Sequence, residues 1–220
     1  MNEHEVEPIR GLPEPLPQGE RILWQGAPEW RALALRALHV RTVLAYFALL
    51  FVWSVGMSLW DGASIASAVW IALRLVPVAL AATAILGLYA WLACRTTVYT
   101  ITNRRVVLRF GVALPMTLNV PFSVIGTAAL RAYRDNTGDI PLTLTGKDRM
   151  SYVALWPHLR PWHTAKPEPM LRAVPGAATV ANTLAQALAE AASERTAPET
   201  SLELSLDATR DAPKRAQAAA

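Results

Sequence analysis

Two long uncharged runs constrain this chain more than any other feature. Thr42–Trp60, TVLAYFALLFVWSVGMSLW, holds 19 residues without a charge, and Leu75–Cys94, LVPVALAATAILGLYAWLAC, holds 20. At about 1.5 Å per residue each makes about 30 Å of helix, the thickness of the hydrocarbon core of a bilayer. In a water-soluble fold both runs would have to be buried on every side. A chain of 220 residues leaves too little to cover them. Composition agrees: the hydrophobic fraction is 53% and the charged fraction 17%, against about a quarter charged in soluble domains. The runs therefore read as a transmembrane helical hairpin.

Arginine placement sets its orientation. Arg31, Arg36 and Arg41 precede the first run, and Arg95, Arg104, Arg105 and Arg109 follow the second. The connection between them, Asp61–Leu73, has no lysine or arginine. The positive-inside rule then puts both termini in the cytoplasm of a bacterial inner membrane, cytoplasmic or intracytoplasmic, with the connection outside. Arg74 is placed to snorkel to the outer interface. Tyr46, Tyr89 and Trp91 fall towards the cytoplasmic interface, Trp60 and Trp70 towards the outer one. The first 20 residues carry Glu3, Glu5, Glu7, Glu14 and Glu20 and no apolar core, unlike a signal peptide. Ala79, Thr83 and Gly87 fall four apart on one helix face. Such a stripe suits packing on the first span, or docking onto another membrane protein or a second copy in a homodimer. Trp30–Arg41 reads as an interfacial helix turning into the membrane, or as the first turns of one long helix.

After Arg95 the periodicity becomes strand-like. TVYTIT, a turn at Asn103-Arg104 and VVLRF make a hairpin ending at Gly111. Ser123–Leu130 suits a strand, Thr137-Gly138-Asp139 a turn, IPLTLT and Tyr152–Trp156 two further strands. A proline-rich connection leads to a helix over Val180–Ala192, with Val180, Leu184, Leu188 and Ala191 on one face and Pro175-Gly176 at its start. Meandering strands closed by one helix have the order of a pleckstrin-homology (PH)-like barrel. The expected organisation is an N-terminal segment over 1–41, the membrane hairpin over 42–94, a cytoplasmic, mainly β (α+β) PH-like domain over 95–192 and a disordered tail over 193–220. GERILWQG has the composition of a strand that returns to the same side of the membrane, which leaves open whether it joins the barrel.

No nucleotide-binding, zincin or nucleophile-elbow motif occurs. One cysteine, Cys94, excludes an intrachain disulfide. His158 and His163 are five apart in a proline-containing loop and have no carboxylate close between them. His39, at the membrane surface, reads as a solvated histidine rather than a pigment ligand. No catalytic residue, metal site or cofactor is assigned, and a net charge of +4 concentrated near the spans argues about topology rather than nucleic acid. Two groups are candidates for binding. Arg104 and Arg105, in the hairpin turn, suit anionic lipid head groups or the acidic loop of a partner. Trp156 and Trp162, interleaved with Pro157 and Pro161, suit an exposed anchor, or packing against the barrel.

The hairpin YTITNRRVVLRFG resembles the bacterial PH domains of membrane-anchored proteins, in which a T-[DN]-x-R turn joins two strands. Further stretches narrow the resemblance. EPIRGLPEPLPQGERILWQGAPEWRALALRALHVR at the start, and WPHLRPWHTAKPEPMLRAVPGAATVANTLAQAL near the end, are similar to the PuhB-type photosynthetic-complex assembly proteins of purple bacteria. The likeness covers about residues 7 to 192. It implies a non-enzymatic assembly factor whose partners are the polypeptides of the photosynthetic reaction centre and core light-harvesting antenna. The broader class alone implies an alternative: a membrane-anchored module that binds anionic lipid or serves envelope homeostasis.

Overall fold

The structure is a computed structural model that describes residues 11–12, 14–145, 155–161 and 167–195. The chain begins with strand β1 (Ile22–Gly26), then leaves the sheet for four helices: α1 (Trp30–Arg36), α2 (Val40–Trp60), α3 (Ile65–Ala72) and α4 (Leu75–Thr96). It returns through β2 (Val98–Thr102), β3 (Arg105–Phe110) and β4 (Met116–Pro121). A 3-10 turn at Phe122–Val124 leads to β5 (Ile125–Ala128), β6 (Arg131–Ala132), β7 (Thr137–Leu144) and β8 (Met170–Pro175). A last helix, α5, spans residues 177–195.

β1 to β4 form one antiparallel sheet in chain order, and β7 carries β5, β6 and β8 in a second. The two are not closed into the expected barrel. GERILWQG does join the domain: Trp24, Gln25 and Gly26 lie opposite Ile101, Thr100 and Tyr99. The helical hairpin is thus inserted between the first two strands of one sheet. Tyr99, Ile101, Val106, Leu108, Ile140, Leu142, Leu171 and Val174 make the core, closed by Val180, Leu184 and Ala187 of α5. Leu188 and Ala191 pack on its rim, so the face read from the sequence is the one used.

Several elements differ from the sequence reading. Trp30–Arg41 is two helices, because His39 takes a left-handed conformation (φ 54°) that breaks the chain between α1 and α2. The connection between the two long helices contains α3, capped by Ser64, whose hydroxyl accepts from the Ser67 N–H. Ser123–Leu130 begins as a 3-10 turn, and its strand is Ile125–Ala128. Thr137-Gly138-Asp139 is strand, and the turn lies just before it, at Asn136 (φ 60°). Gly138 serves close approach instead: a Cβ there would lie 2.6 Å from that of Ala177 and 2.9 Å from the Arg131 carbonyl. PEPMLRAVP, read as a connection, supplies β8. Of the expected strand Tyr152–Trp156, residues 152–154 lie outside the described residues and Leu155 is helical. Residues 193–195 of the expected tail continue α5, and the rest of it lies outside the described residues.

Among the described residues two helical stretches are long and apolar enough to cross a bilayer, α2 and the run Ile65–Thr96 that takes in α3 and α4. α2 buries none of its residues, and α4 only Ala90, Ala93 and Cys94, in its last two turns. α2 packs against both α3 and α4, and half-buried positions mark the two long helices, among them Val43, Phe47 and Leu50 in α2 and Ala79, Thr83, Leu86 and Gly87 in α4. Ala79, Thr83 and Gly87 are each half-buried, but a Cβ added at Gly87 would meet nothing within 4 Å. Thr83 returns its hydroxyl to the Ala79 carbonyl at 2.8 Å.

Candidate functional site

The T-N-R-R turn is tied to the chain itself. Thr102 Oγ1 accepts from the backbone N–H of Arg104 and of Arg105, and donates to Glu20 Oε1 at 2.8 Å. Asn103 accepts from the Arg21 N–H through Oδ1 and donates to the Gly19 carbonyl through Nδ2, both at 3.0 Å. Arg105 grips Glu20 with two bonds, Nε to Oε1 at 2.7 Å and Nη2 to Oε2 at 2.9 Å. The Glu20 side chain is 2% exposed, so the fork satisfies a carboxylate that burial would otherwise penalise heavily. These side chains clamp the segment before β1 onto the β2–β3 turn. Arg104 is exposed, and Arg105 is committed to its carboxylate.

Position matters as much as pairing. Gly26 pairs with Tyr99, Val98 with Arg109, and Phe110 with Met116, all at the end of the sheet where α4 enters β2. The Asn103–Arg104 turn closes the opposite end, roughly 15 Å away along β2. Neighbourhood to α4 in sequence does not place these arginines beside it in space.

A second constellation joins the helices to the sheets. Arg36, in the last turn of α1, bonds Asp135 and Thr137 and lies 3.7 Å over the ring of Tyr133. Tyr133 donates its hydroxyl to Asp139 Oδ2 at 2.8 Å, and Asp139 Oδ1 accepts from the Ala173 N–H at 2.9 Å. The Ala173 carbonyl accepts from the Glu29 N–H at 2.8 Å, and Glu29 caps α1 through the Ala32 N–H. The circuit therefore runs from α1 through β7 and β8 back to α1. Beneath it Ala32, Leu33 and Ala37 pack on Ala93, Cys94 and Ala173. Hydrogen bonds from Thr137, with Arg36 beside them, hold the Asp135 carboxyl below its ordinary range, while burial and the bond to Asp139 push the Tyr133 hydroxyl up.

Trp156 is 45% exposed, and its inner face stacks on Tyr89 of α4 with ring centres 5.6 Å apart. It neither packs wholly in the domain nor stands free: it lies in the groove between domain and helix. Two residues on, His158 is 1% exposed. Its Nδ1 lies 2.7 Å from the Tyr99 hydroxyl and its Nε2 3.3 Å from that of Thr97. Burial, with the Arg172 charge nearby, brings the imidazole down to about 3, and burial pushes the Tyr99 hydroxyl well above its usual range. Tyr99 therefore donates to Nδ1 of a neutral ring and accepts from the Arg172 N–H at 3.2 Å. Arg172 Nη1 donates to the Pro157 carbonyl at 3.0 Å, fixing the loop that carries Trp156.

Trp162 and His163 lie outside the described residues. Among the described candidates the arginines and Trp156 are not brought together: the arginines close the far end of the first sheet, and Trp156 lies against α4. Among the described residues no three His, Cys, Asp or Glu side chains gather where they could hold a metal. Arg36 and His158, read from sequence as an orientation charge and a loop histidine, prove central to the internal framework. The one sequence signal for Arg36 is its place in the helical stretch Trp30–Arg41 ahead of the first apolar run.

Two sheets with a C-terminal helix, and a long apolar helical pair inserted between the first two strands, define a PH-like protein. Residues 40–188 match the bacterial PH domain family, and the chain belongs to that family. The match takes in both long helices and ends within α5, leaving β1 outside it. The chain is also 38% identical over 186 residues to a Rhodobacter capsulatus protein described as an uncharacterized 23.7 kDa protein in the puhA 5' region. That alignment covers 82% of this chain and 86% of the relative. No solved structure matches the chain.

Proposed function

We propose that this protein is a non-enzymatic, integral-membrane assembly factor for the photosynthetic reaction centre and its core light-harvesting complex. In this reading α2 and α4 cross the inner membrane, both termini are cytoplasmic, and the PH-like domain binds protein at the membrane surface. The observation that carries it is the relative in the puhA 5' region, aligned over 82% of the chain. The GLPEPLPQGERILWQG and PEPMLR blocks, similar to PuhB-type proteins, narrow it further. The framework suits such a role. Arg36, Tyr133 and Asp139 lock the domain to the helices, so a bound polypeptide would be held at a fixed angle to the bilayer. Trp156, half-exposed beside α4, is a partner anchor on that face.

The test is a mild-detergent pull-down of tagged protein from photosynthetically induced membranes, followed by mass spectrometry. Reaction-centre or core-antenna polypeptides should be recovered, and Trp156→Ala should deplete them. Recovery of lipid or unrelated envelope proteins alone would count against the assembly role and favour the lipid or envelope alternative.

A further inference from the structure

The two long helical stretches are unequal. α2 has 21 residues, whereas Ile65–Thr96 runs for 32 as α3 and α4, joined by Leu73 and Arg74. Both joining residues keep right-handed helical backbone angles, and the Leu73 N–H still bonds the Val69 carbonyl at 2.9 Å. The joint has a local cause. Pro77 lacks the N–H that would bond the Leu73 carbonyl, which accepts from the Val76 N–H at 3.1 Å instead.

α3 starts five residues after α2 ends and packs back against it, so the two stretches run antiparallel from a common level. Arg74 is nine residues below that level, about 14 Å. With a bilayer core of about 30 Å starting at the turn, this is close to the midplane. The same frame leaves the last turns of α4 beyond the far boundary, where Ala32, Leu33 and Ala37 cover Ala93 and Cys94. Starting the core at Arg74 is the poorer frame. It would leave α3 and about half of α2 in water, with Trp53, Trp60, Ile65 and Trp70 each at least 67% exposed.

Arg74 is the one charge between Asp61 and Arg95. It is exposed, and its side chain makes no ion pair or hydrogen bond among the described residues. Ala68 and Ala72 are fully buried on the side that packs on α2. Trp70, Arg74 and Val78, four apart, lie on the far side, the tryptophan 68% and the valine 54% exposed. Lipid satisfies the apolar pair. It does not satisfy a guanidinium at that depth, and snorkelling covers only part of the distance. The single carboxylate of the helical pair, Asp61, is back at the turn.

We propose that Arg74, flanked by Trp70 and Val78, is the docking site for a transmembrane helix of a partner polypeptide that carries an aspartate or glutamate near its middle. Charge complementarity selects the occupant. A carboxylate answers the lipid-embedded guanidinium with two parallel hydrogen bonds, and the apolar residues one turn to either side pack on the partner helix. The site rests on the membrane reading of α2 and α4. It gives the protein a grip within the bilayer, separate from Trp156 at the surface.

The test uses the full chain with Cys94→Ala in phosphatidylcholine vesicles, whose lipid carries no net charge. Synthetic polyleucine helices with a central aspartate or a central leucine, each bearing an acceptor fluorophore, are titrated against a donor on Arg104→Cys. The aspartate helix should give half-maximal energy transfer at an about fivefold lower peptide-to-lipid ratio than the leucine helix. Arg74→Leu and Arg74→Gln should each abolish that preference, and Arg41→Gln should keep it. Equal transfer from the two helices, or a preference that survives Arg74→Leu, overturns the proposal. Depth is read separately, with a fluorophore on Leu73→Cys or Leu80→Cys, both exposed in the structure. Brominated acyl chains should quench both. Quenching at position 80, with position 73 open to aqueous iodide, would put the joint outside the core and overturn the docking site alone. Failure at position 80 as well would sink the membrane reading, and the site with it.

Discussion

His158 is the residue whose ionisation should be felt most widely. Unfolded, an imidazole takes its proton near its ordinary value of about 6.5; folded, this one resists protonation down to about 3. Its contribution is thus fully present above pH 6.5 and is lost as the pH falls from there towards 3, at about 1.4 kcal/mol per pH unit. Thermal unfolding of the detergent-solubilised protein should drop steeply between pH 6.5 and 4.5. His158→Gln, which keeps a hydrogen-bonding group and does not titrate, should lower stability at pH 7.5 yet flatten that acid limb. An equally steep limb in the variant would assign the acid sensitivity elsewhere. Arg105 makes a different case. Arg105→Ala leaves the Glu20 carboxylate buried beside the Thr102 hydroxyl alone, at a cost of about 3 kcal/mol. Removing Glu20 as well should recover part of that loss. Denaturant titrations of the wild type, both single variants and the double variant measure the coupling, and strict additivity would show that the pair does not clamp the turn.

The junction of α1 with β7 is where one element orients another. Arg36→Met keeps much of the aliphatic bulk but removes the fork to Asp135 and Thr137 and the cation over Tyr133, and should lower stability. Hydrogen exchange should quicken at residues 131–137 and in α1 while β2 and β3 stay protected; uniform quickening would mean that the circuit does not act locally. Arg36→Lys should rescue little, because an ammonium lacks the planar fork. Elements of this kind mark the limit of what sequence discloses. The two long apolar helices, the β2–β3 hairpin and the inward face of α5 were legible, because hydrophobic period and turn chemistry are local signals. β8 was not: MLRAVP is bounded by prolines and buries Arg172, whose partners are the Pro157 carbonyl and Tyr99, far off in the chain. Gly138 misled in the same way, since glycine signals a turn and close packing alike. Of the candidate site, Trp156 could be named from sequence, but not its stacking on Tyr89. Nor could the capture of Arg105 by a carboxylate 85 positions earlier be foreseen.

The chain as a whole is organised by one insertion. β1 precedes the helical pair and β2 follows it, so the sheet assembles only when the hairpin brings Gly26 beside Tyr99. That pairing requires the segment before α1 and the domain after α4 to lie on one side of whatever α2 and α4 cross. This same-side requirement does not depend on charge, and it matches the expectation from arginine placement that both ends are cytoplasmic. Cysteine labelling in a Cys94→Ala background tests it directly. Asp61→Cys, at the C-terminal cap of α2, should react with a membrane-impermeant maleimide in spheroplasts without lysis. Arg104→Cys, at the far end of the sheet, should react only after permeabilisation. Equal reactivity of the two before lysis would place the connection and the domain on one side, leaving the α2–α4 pair as a hairpin that enters the bilayer without crossing it. The opposite pattern, with position 104 labelled and position 61 protected, would keep the two crossings and the shared side that the sheet demands. It would invert the protein, and the assembly role would then have to act on the periplasmic face.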